Sequence, residues 1–394
     1  MKILVLTSRF PFPLEKGDKL RIYHQMRELA CAGHEIVLVA LADEPVLDRY
    51  VEEIKKFCSQ IYVFRLTKLV LFSNIFKNIL KGGKLPFQIA YFFNSAIKNQ
   101  IKQIIESEQP DHIYCHLVRM SEYVKDVDLP KTLDFMDAFG AGSHSRAAIA
   151  SLFLQPFWYF EARLMLRYEK EIAACFSNLT IISEQDRERL PISAAAVTVI
   201  GNGVDIDFFS LMPFKIKKYD VCFVGNLGYY SNVEAVRYLI KHILPLLKIA
   251  KPDIKILVAG ARPTTEIQDL SDTHVTVLGW LDDIREAYAA SRILVAPLMH
   301  GIGQQNKILE AMAMHVPVVA TSRVNNAIGA VPGNDILVAD TEGVFVEQIL
   351  RLLQSIDLQN LIATNGRAFV EKKYAWEEAT KGLEELIVKA QSEL

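Results

Sequence analysis

The stretch that decides the fold runs from Ala296 to Thr321 and reads APLMHGIGQQNKILEAMAMHVPVVAT. Its residue types predict the end of a buried strand, a glycine-containing loop, a short helix and a second buried strand. Asn306 is a residue type favoured as a helix N-cap, so we expect the helix to begin there. The open amides and the dipole of that helix would then point back at the loop, as they do in phosphate sites.

Two charged residues lie close to the predicted helix start. Lys307 and Glu310 are three positions apart, so they share one face of the helix. A cation at this place can meet a diphosphate, and a carboxylate can accept hydrogen bonds from sugar hydroxyls. The alternative is an ordinary loop and helix in an α/β domain, and the segment alone leaves both interpretations open.

The composition narrows the class of protein. The length of 394 residues, with a hydrophobic fraction of 51%, predicts two domains with ample cores. The net charge of −2 argues against a general nucleic-acid binder. The five cysteines are scattered and form no CxxC, which is typical of reduced thiols in a cytosolic protein rather than of a disulfide framework or a metal site. Because no uncharged apolar run reaches the roughly 20 residues of a membrane span, we expect a soluble or surface-bound protein.

Strand-like apolar runs alternate with helical patterns along the whole chain, which is the signature of parallel α/β units. The pattern predicts two Rossmann-like, doubly wound domains at residues 1–203 and 220–375. A stretch without clear periodicity at 204–219 is the predicted linker, and the amphipathic end at 376–394 is a predicted helix that packs back across the hinge. Two such domains would face each other across a cleft at the carboxyl ends of their strands, where such folds bind ligands.

One region has an unusual charge distribution. From Ile54 to Ile105 there are nine Lys or Arg residues and no Asp or Glu. Within it, a helix over Lys68–Lys81 would gather its apolar residues on one face, namely Leu69, Phe72, Ile75, Phe76, Ile79 and Leu80, and place Asn74, Lys77, Asn78 and Lys81 on the other. Such a helix suits an anionic membrane surface, but an ordinary surface helix with a core-facing apolar side remains an equal alternative.

Six segments together resemble the GT-B glycosyltransferases, in particular glycosyltransferase family 4. In chain order they are SRFPFPLEKGDKLRIYHQMRELACAGHEIVLVA, FEARLMLRYEKEIAACFSNLTIISEQDRERL, IGNGVDIDFFS, VCFVGNLGYYSNVEAV, GWLDDIREAYAASRILVAPL and GIGQQNKILEAMAMHVPVVAT. The sequences NVEAV and NKILEAMA look most like those of bacterial exopolysaccharide or capsule transferases, including a branch associated with PEP-CTERM systems.

The resemblance implies a function and a set of residues. The second domain would bind a nucleotide-diphosphate sugar as donor substrate, and the first would bind a polysaccharide or lipid-linked glycan acceptor. The reaction would retain the anomeric configuration and need neither a metal nor another cofactor, on the cytoplasmic face of the membrane. The implied ligand-binding residues are Gly17, Asn226, Arg262, Leu281, Gly303, Gln304, Gln305, Asn306, Lys307 and Glu310, with Glu310 on the ribose.

The sequence departs from the family pattern at the diphosphate. Ile302 stands where members commonly carry a first glutamate, and Asn226 and Asn232 stand where they often carry Arg and Lys. Lys307 is therefore the predicted principal cation and a catalytic residue, with Arg262 and Arg323 as weaker candidates.

Two residues of the first domain are candidates for chemistry on the acceptor. His116 follows the fourth predicted strand, where the family often has a histidine, and Asp137 could serve as a base if the enzyme inverted configuration. Two rivals stay open, a GT-B sugar-nucleotide epimerase and a non-catalytic nucleotide-sugar-binding assembly subunit.

Overall fold

The chain divides into two compact units. A computed structural model describes residues 1–80, 82–212, 216–299 and 304–392, apart from the side chains of Lys68 and Ile149. Unit 1 comprises Met1–Gly201 with Ala379–Leu394, and unit 2 comprises Asn202–Glu378. Residues 204–212 and 216–218 of the predicted linker thus belong to unit 2, and most of the predicted terminal helix belongs to unit 1.

Unit 1 contains a sheet of parallel strands. In chain order the strands are β1 (Lys2–Thr7), β2 (Glu35–Ala42), β3 (Gln60–Arg65), β4 (His112–His116), β5 (Lys131–Asp134), β6 (Asn178–Ile181) and β7 (Val197–Val199). They lie side by side in the order β3-β2-β1-β4-β5-β6-β7. Successive side chains of β1 enter different clusters, since Ile3 and Val5 pack on one face of the sheet and Leu4 and Leu6 on the other. Both faces are therefore covered, as is usual for a parallel sheet.

Helices cover these two faces. They are α1 (Gly17–Cys31), α2 (Asp48–Ile54), α3 (Lys68–Leu80), α4 (Phe87–Phe92), α5 (Ser95–Glu108), α6 (Ser121–Val124), α7 (Phe139–Ile149), α8 (Gln155–Ala173) and α9 (Glu184–Arg187). The last helix of the chain, numbered α18 (Trp376–Ser392), brings Leu383 and Ile387 to the cluster that contains Ile22 and Met26 of α1. The amphipathic pattern of the chain end is thus explained by packing in unit 1.

Unit 2 contains the second parallel sheet. Its strands are β8 (Tyr219–Val224), β9 (Ile256–Ala259), β10 (Val275–Leu278), β11 (Ser291–Ala296), β12 (Val318–Ala320) and β13 (Leu337–Val338), in the order β10-β9-β8-β11-β12-β13. Its helices are α10 (Tyr230–Tyr238), α11 (Leu244–Ala250), α12 (Thr265–Gln268), α13 (Arg285–Ala289), α14 (Asn306–Ala313), α15 (Ser322–Ile328), α16 (Glu342–Gln354) and α17 (Ile356–Tyr374). Two Rossmann-like units of this kind confirm the predicted fold class.

The helical segment that follows β8 is not a single α-helix. A π-helical turn at Leu239–Ile243 joins α10 to α11, which has a proline in its first turn. Proline has no amide hydrogen to donate to the preceding turn, and such an interruption locally widens the helix.

The predicted amphipathic helix exists as α3, but its core-facing interpretation is wrong. Its amide-bearing face packs inward, because Asn74 Nδ2 donates to the carbonyl of Tyr91 at 3.2 Å and Asn78 Nδ2 donates to the carbonyl of Leu85 at 2.8 Å. Five of the six apolar residues of the predicted stripe are exposed, with Leu69 at 84% and Leu80 at 70%. Lys81 lies outside the described residues. The polar face of α3 therefore packs inward because its amides satisfy backbone carbonyls of the following segment, and the apolar face is exposed to solvent.

Candidate functional site

The topology of unit 2 places the candidate donor site at the switch point of the sheet. Strand order reverses between β8 and β11, and ligands of doubly wound sheets bind at the carboxyl ends of such a pair. The loop at 225–228 follows β8, and α14 is the first helix after β11. The predicted glycine loop at 301–303, which includes the site residue Gly303 and the departure Ile302, lies outside the described residues.

The loops that follow β8 and β9 touch each other through glycine. Gly260 has a φ of +140°, and a Cβ built on it would lie 1.8 Å from the carbonyl oxygen of Gly225. Only glycine fits this contact. The backbone of the loop after β8 is therefore in close contact with the backbone of the loop after β9.

Lys307 occupies the centre of this region. Its ammonium Nζ donates to Asn232 Oδ1 and to Gln305 Oε1, both at 3.0 Å, and lies 5.4 Å from the centre of the Phe223 ring. The residue is only 8% exposed. Burial lowers the pKa of Lys307 to about 8, against the opposing influence of Glu310. Among the described residues the ammonium makes no ion pair, and its two hydrogen bonds go to amide oxygens.

The two asparagines at the departures from the family pattern hold this lysine. Asn232 Nδ2 donates to the carbonyl oxygen of Asn226 at 2.8 Å, which fixes the oxygen of the Asn232 amide towards Lys307. Asn226 Oδ1 accepts from the amide of Gly228 at 3.0 Å and so shapes the turn. Their observed role is to form the loop and orient Lys307.

Glu310 is held by a tyrosine that the sequence did not indicate. The hydroxyl of Tyr288, a fully buried residue on α13, donates to Glu310 Oε2 at 2.6 Å. Burial raises the pKa of the Glu310 carboxyl, while Tyr288 and Lys307 oppose that shift. Within the described part of the chain, Oε1 makes no hydrogen bond and remains available to a hydroxyl group. Buried tyrosines usually find a polar partner for the hydroxyl, which is the one signal that could have pointed to Tyr288.

The start of α14 differs by one residue from the prediction. Gln305 is the N-cap residue, and Asn306 is the first residue of the helix, so the predicted capping role of Asn306 is wrong. No side chain caps the helix, because the Gln305 oxygen accepts from Lys307 instead. The amide of Ile308 donates to the Gln305 carbonyl at 3.0 Å, which leaves the amides of Asn306 and Lys307 open at the helix start within the described residues.

Three other predicted donor-site residues take different places. Gln304 is tied down, since its side chain accepts from the backbone amide of Asn202 at 3.0 Å and donates to the Asn202 carbonyl at 2.6 Å. Arg262 is exposed, has a left-handed φ of 56° and approaches Gly228. Leu281 is half-buried against the core of unit 2. Arg262 is thus available to a ligand, whereas Gln304 fixes the backbone.

In unit 1 the acceptor candidates gather at the switch point between β1 and β4. His116 is buried at the end of β4, and its Nε2 has no hydrogen-bond partner in the described residues. Burial lowers the pKa of His116 to about 4, so the ring is neutral at neutral pH. Gly17 is the first residue of α1 rather than a loop residue, and a Cβ there would meet Met136 Cε at an ordinary 3.6 Å. A side chain at position 17 would therefore fit, and the ligand contact implied for Gly17 stays a prediction.

Asp137 lies just beyond the end of β5. Burial, reinforced by the carboxylates of Asp186 and Asp134, raises the pKa of Asp137 to about 6. The preceding Met136 has a left-handed φ of 61°, and Leu117 after His116 has a φ of 69°. Such strained backbone in non-glycine residues is concentrated at functional sites.

Asp134 has a structural role. Its carboxylate pairs with Arg21, with Nε to Oδ2 at 2.6 Å, and both side chains are fully buried. Thr180 Oγ1 donates to the other carboxylate oxygen at 3.1 Å. Although burial alone would raise it, Arg21 holds the pKa of Asp134 below its usual value.

Two wider features of the described residues bear on function. No group of three or more His, Cys, Asp or Glu side chains is arranged there to hold a metal ion. No helix in the described part of the chain is long and apolar enough to cross a membrane.

Known proteins resemble this chain in sequence. Residues 218–355 match the family model described as Glycosyl transferases group 1. An uncharacterized 44.6 kDa protein from the cps region of Klebsiella pneumoniae is 23% identical over 397 residues, covering 95% of this chain and 96% of the relative. The capsular polysaccharide biosynthesis glycosyltransferase CapM of Staphylococcus aureus is 28% identical over 250 residues, covering 56% of this chain and 64% of CapM.

Solved structures share the fold. Sucrose-phosphate synthase from Thermosynechococcus elongatus superposes with a TM-score of 0.70 at 15% identity, covering 100% of both chains. Anabaena HepE in complex with UDP superposes with a TM-score of 0.68 at 15% identity, covering 99% of this chain and 100% of HepE. Residues 218–355 thus carry a group 1 glycosyltransferase domain, as the sequence resemblance implied, and the whole chain has the fold of sucrose-phosphate synthase and HepE.

Proposed function

We propose that this glycosyltransferase moves a sugar from a nucleoside-diphosphate donor, bound in unit 2, to a glycan acceptor in capsular or other exopolysaccharide synthesis. The observation that carries the proposal is the buried ammonium of Lys307, surrounded by amide oxygens at 3.0 Å and without an ion pair in the described residues. A buried charge is costly unless it is compensated, and a diphosphate supplies the missing charge. The names of CapM and of the UDP-bound HepE structure point the same way.

Different protein groups would bind the diphosphate and the ribose of the donor. The diphosphate meets Lys307 and the open amides of α14, with exposed Arg262 as a second cation. The ribose hydroxyls donate to Glu310, whose Oε2 is oriented by Tyr288 at 2.6 Å. A donor in this pose lies against the rigid loop after β8.

The chemical step follows from this pose. The bond between the anomeric carbon and the diphosphate oxygen breaks, and a new bond forms from that carbon to the acceptor hydroxyl oxygen. Negative charge that develops on the diphosphate is stabilised by Lys307 and the helix amides without a metal ion. In the retaining reaction that we propose, the acceptor proton passes to the departing diphosphate, and neutral His116 hydrogen-bonds the acceptor. Asp137, with a pKa of about 6, would take the proton only if configuration were inverted.

A nucleotide panel tests the proposed function. Thermal unfolding should shift upwards with one class of nucleoside diphosphate and its sugar, because binding raises apparent stability by mass action. Turnover of that donor should then require a glycan acceptor, should survive a chelator and should give a product with the donor's anomeric configuration. Change of the sugar without an acceptor would favour the epimerase, and binding without turnover on any acceptor would favour the assembly subunit.

We further propose that unit 1 lies on the anionic cytoplasmic face of a membrane. The support is α3, whose exposed face carries Phe72 and Phe76 at 64% and 62% exposure, within a stretch of nine basic and no acidic residues from Ile54 to Ile105. Each Lys or Arg near such a surface contributes about 1 kcal/mol. Salt should weaken the attraction by screening.

Co-sedimentation with vesicles of graded anionic lipid content tests this placement. The wild type should bind more as the anionic fraction rises, and changing Lys68, Lys77 and Lys81 to Gln should weaken binding. The matched control changes Lys241, Lys372 and Lys381 to Gln, outside the basic stretch, and should bind like the wild type. Equal binding by both triple variants, or no binding to any vesicle, would contradict the proposal.

A further inference from the structure

A pocket of about 350 Å³ opens on unit 1. Its walls come from α3, α4 and the start of α8, with Phe87, Tyr91 and Trp158 among the aromatic residues that line it. Tyr91 meets Phe72 of α3 edge-on with ring centres 6.2 Å apart, and Phe87 meets Phe157 of α8 at 5.1 Å. Aromatic contacts therefore connect the pocket with two outer surfaces.

Both of those surfaces are apolar and exposed. One is the outer face of α3, where Phe72 is 64% exposed. The other is the connection into α8, where Leu152 is 80% exposed and Phe153 is 96% exposed. Two exposed apolar segments thus lie next to one pocket, and exposed apolar surface of this size marks a binding region.

The polar groups in the pocket include both an unused donor and an unused acceptor. Arg119 stacks on Phe92 at 5.2 Å, makes only a long 3.3 Å hydrogen bond to Gln88 Oε1, and has no ion pair within the described residues. The carboxylate of Asp43 makes no hydrogen bond to any described residue. The remaining charged side chains already have partners, because Arg9 Nη1 pairs with Asp18 at 2.6 Å and Glu161 accepts from two amides of α4.

This mixture matches a sugar better than a phosphate. A phosphate offers only acceptors and carries negative charge, so Asp43 would repel it. Sugar hydroxyls both donate and accept, and the C–H faces of a sugar ring pack on aromatic rings. Pockets that combine apolar walls with a few placed polar groups are typical small-molecule sites.

We propose that this pocket binds the acceptor sugar of an amphiphilic glycan, whose hydrocarbon part lies along the exposed faces of α3 and of the connection into α8. The inference rests on the proposed function and adds the place and the chemical class of the acceptor. The sugar ring packs on Trp158, donates to Asp43 and accepts from Arg119. Asp43 and Trp158 are therefore specificity residues of the acceptor site.

Tryptophan fluorescence tests the pocket directly, because Trp158 is one of only three tryptophans in the chain. The probes are n-octyl glycosides of glucose, galactose, mannose and N-acetylglucosamine below their micelle concentrations, with methyl glycosides as tail-free matches. At least one octyl glycoside should give a saturable change that Trp158→Phe removes and Trp280→Phe retains. The matching methyl glycoside should bind at least about tenfold more weakly.

A conservative pair of variants separates contact from structure. Asp43→Asn keeps the shape of the side chain and should weaken octyl glycoside binding about tenfold, whereas Asp48→Asn, exposed on α2, should not. A response that survives Trp158→Phe, the absence of any saturable response, or equal binding by the two Asn variants would overturn the proposal. Nucleotide-induced thermal shifts on the same samples keep the two proposals apart. If nucleotides bind but no octyl glycoside does, only the acceptor pocket is wrong.

Discussion

Each unit has a buried cation beside the carboxyl ends of its strands, Arg21 in unit 1 and Lys307 in unit 2, and the surroundings of the two cations differ. Arg21 of unit 1 is fully buried and is bound by the carboxylate of Asp134 at 2.6 Å. Lys307 of unit 2 is almost as well buried, but within the described residues it makes no ion pair and donates its hydrogen bonds to amide oxygens. A paired buried charge is part of the folded framework, while a buried charge without a counterion leaves room for an anionic ligand. Burial alone therefore does not separate a structural residue from a binding residue, but compensation does.

The largest effect is expected at Arg21, and the contrast between the two cations would fail if Arg21 were dispensable for stability. Arg21→Met leaves the Asp134 carboxylate buried without its guanidinium, and loss of one partner of a buried pair costs about 3–5 kcal/mol. Urea denaturation should show this loss, while nucleotide affinity of the folded variant should stay unchanged. Arg27→Met, on the surface of α1, is the control and should cost about 0–1 kcal/mol. An Arg21 variant as stable as the control would contradict the structural role.

Glu310 sharpens the ligand side of the comparison. Glu310→Ala removes the proposed acceptor for the ribose hydroxyls, and hydrogen bonds to charged groups are worth about 1.5–3 kcal/mol, so affinity should fall about ten- to a hundredfold. Calorimetry with the nucleoside diphosphate found by the panel measures this change. Glu347→Ala, exposed on α16, should leave affinity intact. Unchanged affinity in a folded Glu310 variant would remove the ribose assignment.

Tyr288 should have a smaller effect, since it acts through Glu310. Tyr288→Phe deletes only the hydroxyl that donates to Glu310 Oε2, and one such bond contributes about 0.5–1.5 kcal/mol. We expect nucleotide affinity to fall about two- to tenfold in the wild-type background and not at all when Glu310 is already Ala. Equal losses in both backgrounds would show that Tyr288 does not act by orienting Glu310.

The pH dependence of binding should be the mildest effect. The pKa of Lys307 is about 8 without ligand, so the ammonium is charged below that pH and neutral above it. Affinity for the nucleoside diphosphate should therefore be level just below pH 8 and decline above it, by at most about tenfold per pH unit. Lys307→Met should flatten this slope. A decline of the same steepness in that variant would assign the titration to another group.

The sequence was sufficient for the local and periodic features. Alternation of strands and helices predicted both Rossmann-like units, and the short-range spacing of Lys307 and Glu310 put them near the start of α14. The exact cap was missed because Gln305 uses its side chain on Lys307, which no local propensity encodes.

Contacts between distant residues could not be predicted. Tyr288 and Glu310 are 22 positions apart, and Arg21 and Asp134 are 113 apart, so only the folded chain brings them together. The sequence also did not show which face of α3 packs inward, because Asn74 and Asn78 turn inward to satisfy backbone carbonyls of the segment that follows. Periodicity shows which residues share a face but not which face is covered.

The most direct test of the uncompensated cation compares two ligands on one variant. Lys307→Met should weaken binding of the nucleoside diphosphate about ten- to a hundredfold and leave binding of the matching nucleoside almost unchanged. Its thermal stability without ligand should be equal to or above that of the wild type, because a desolvated charge has been removed. Lys372→Met, exposed on α17, is the matched control. Equal loss of affinity for nucleoside and nucleoside diphosphate, or no loss for either, would contradict the claim that Lys307 binds the diphosphate.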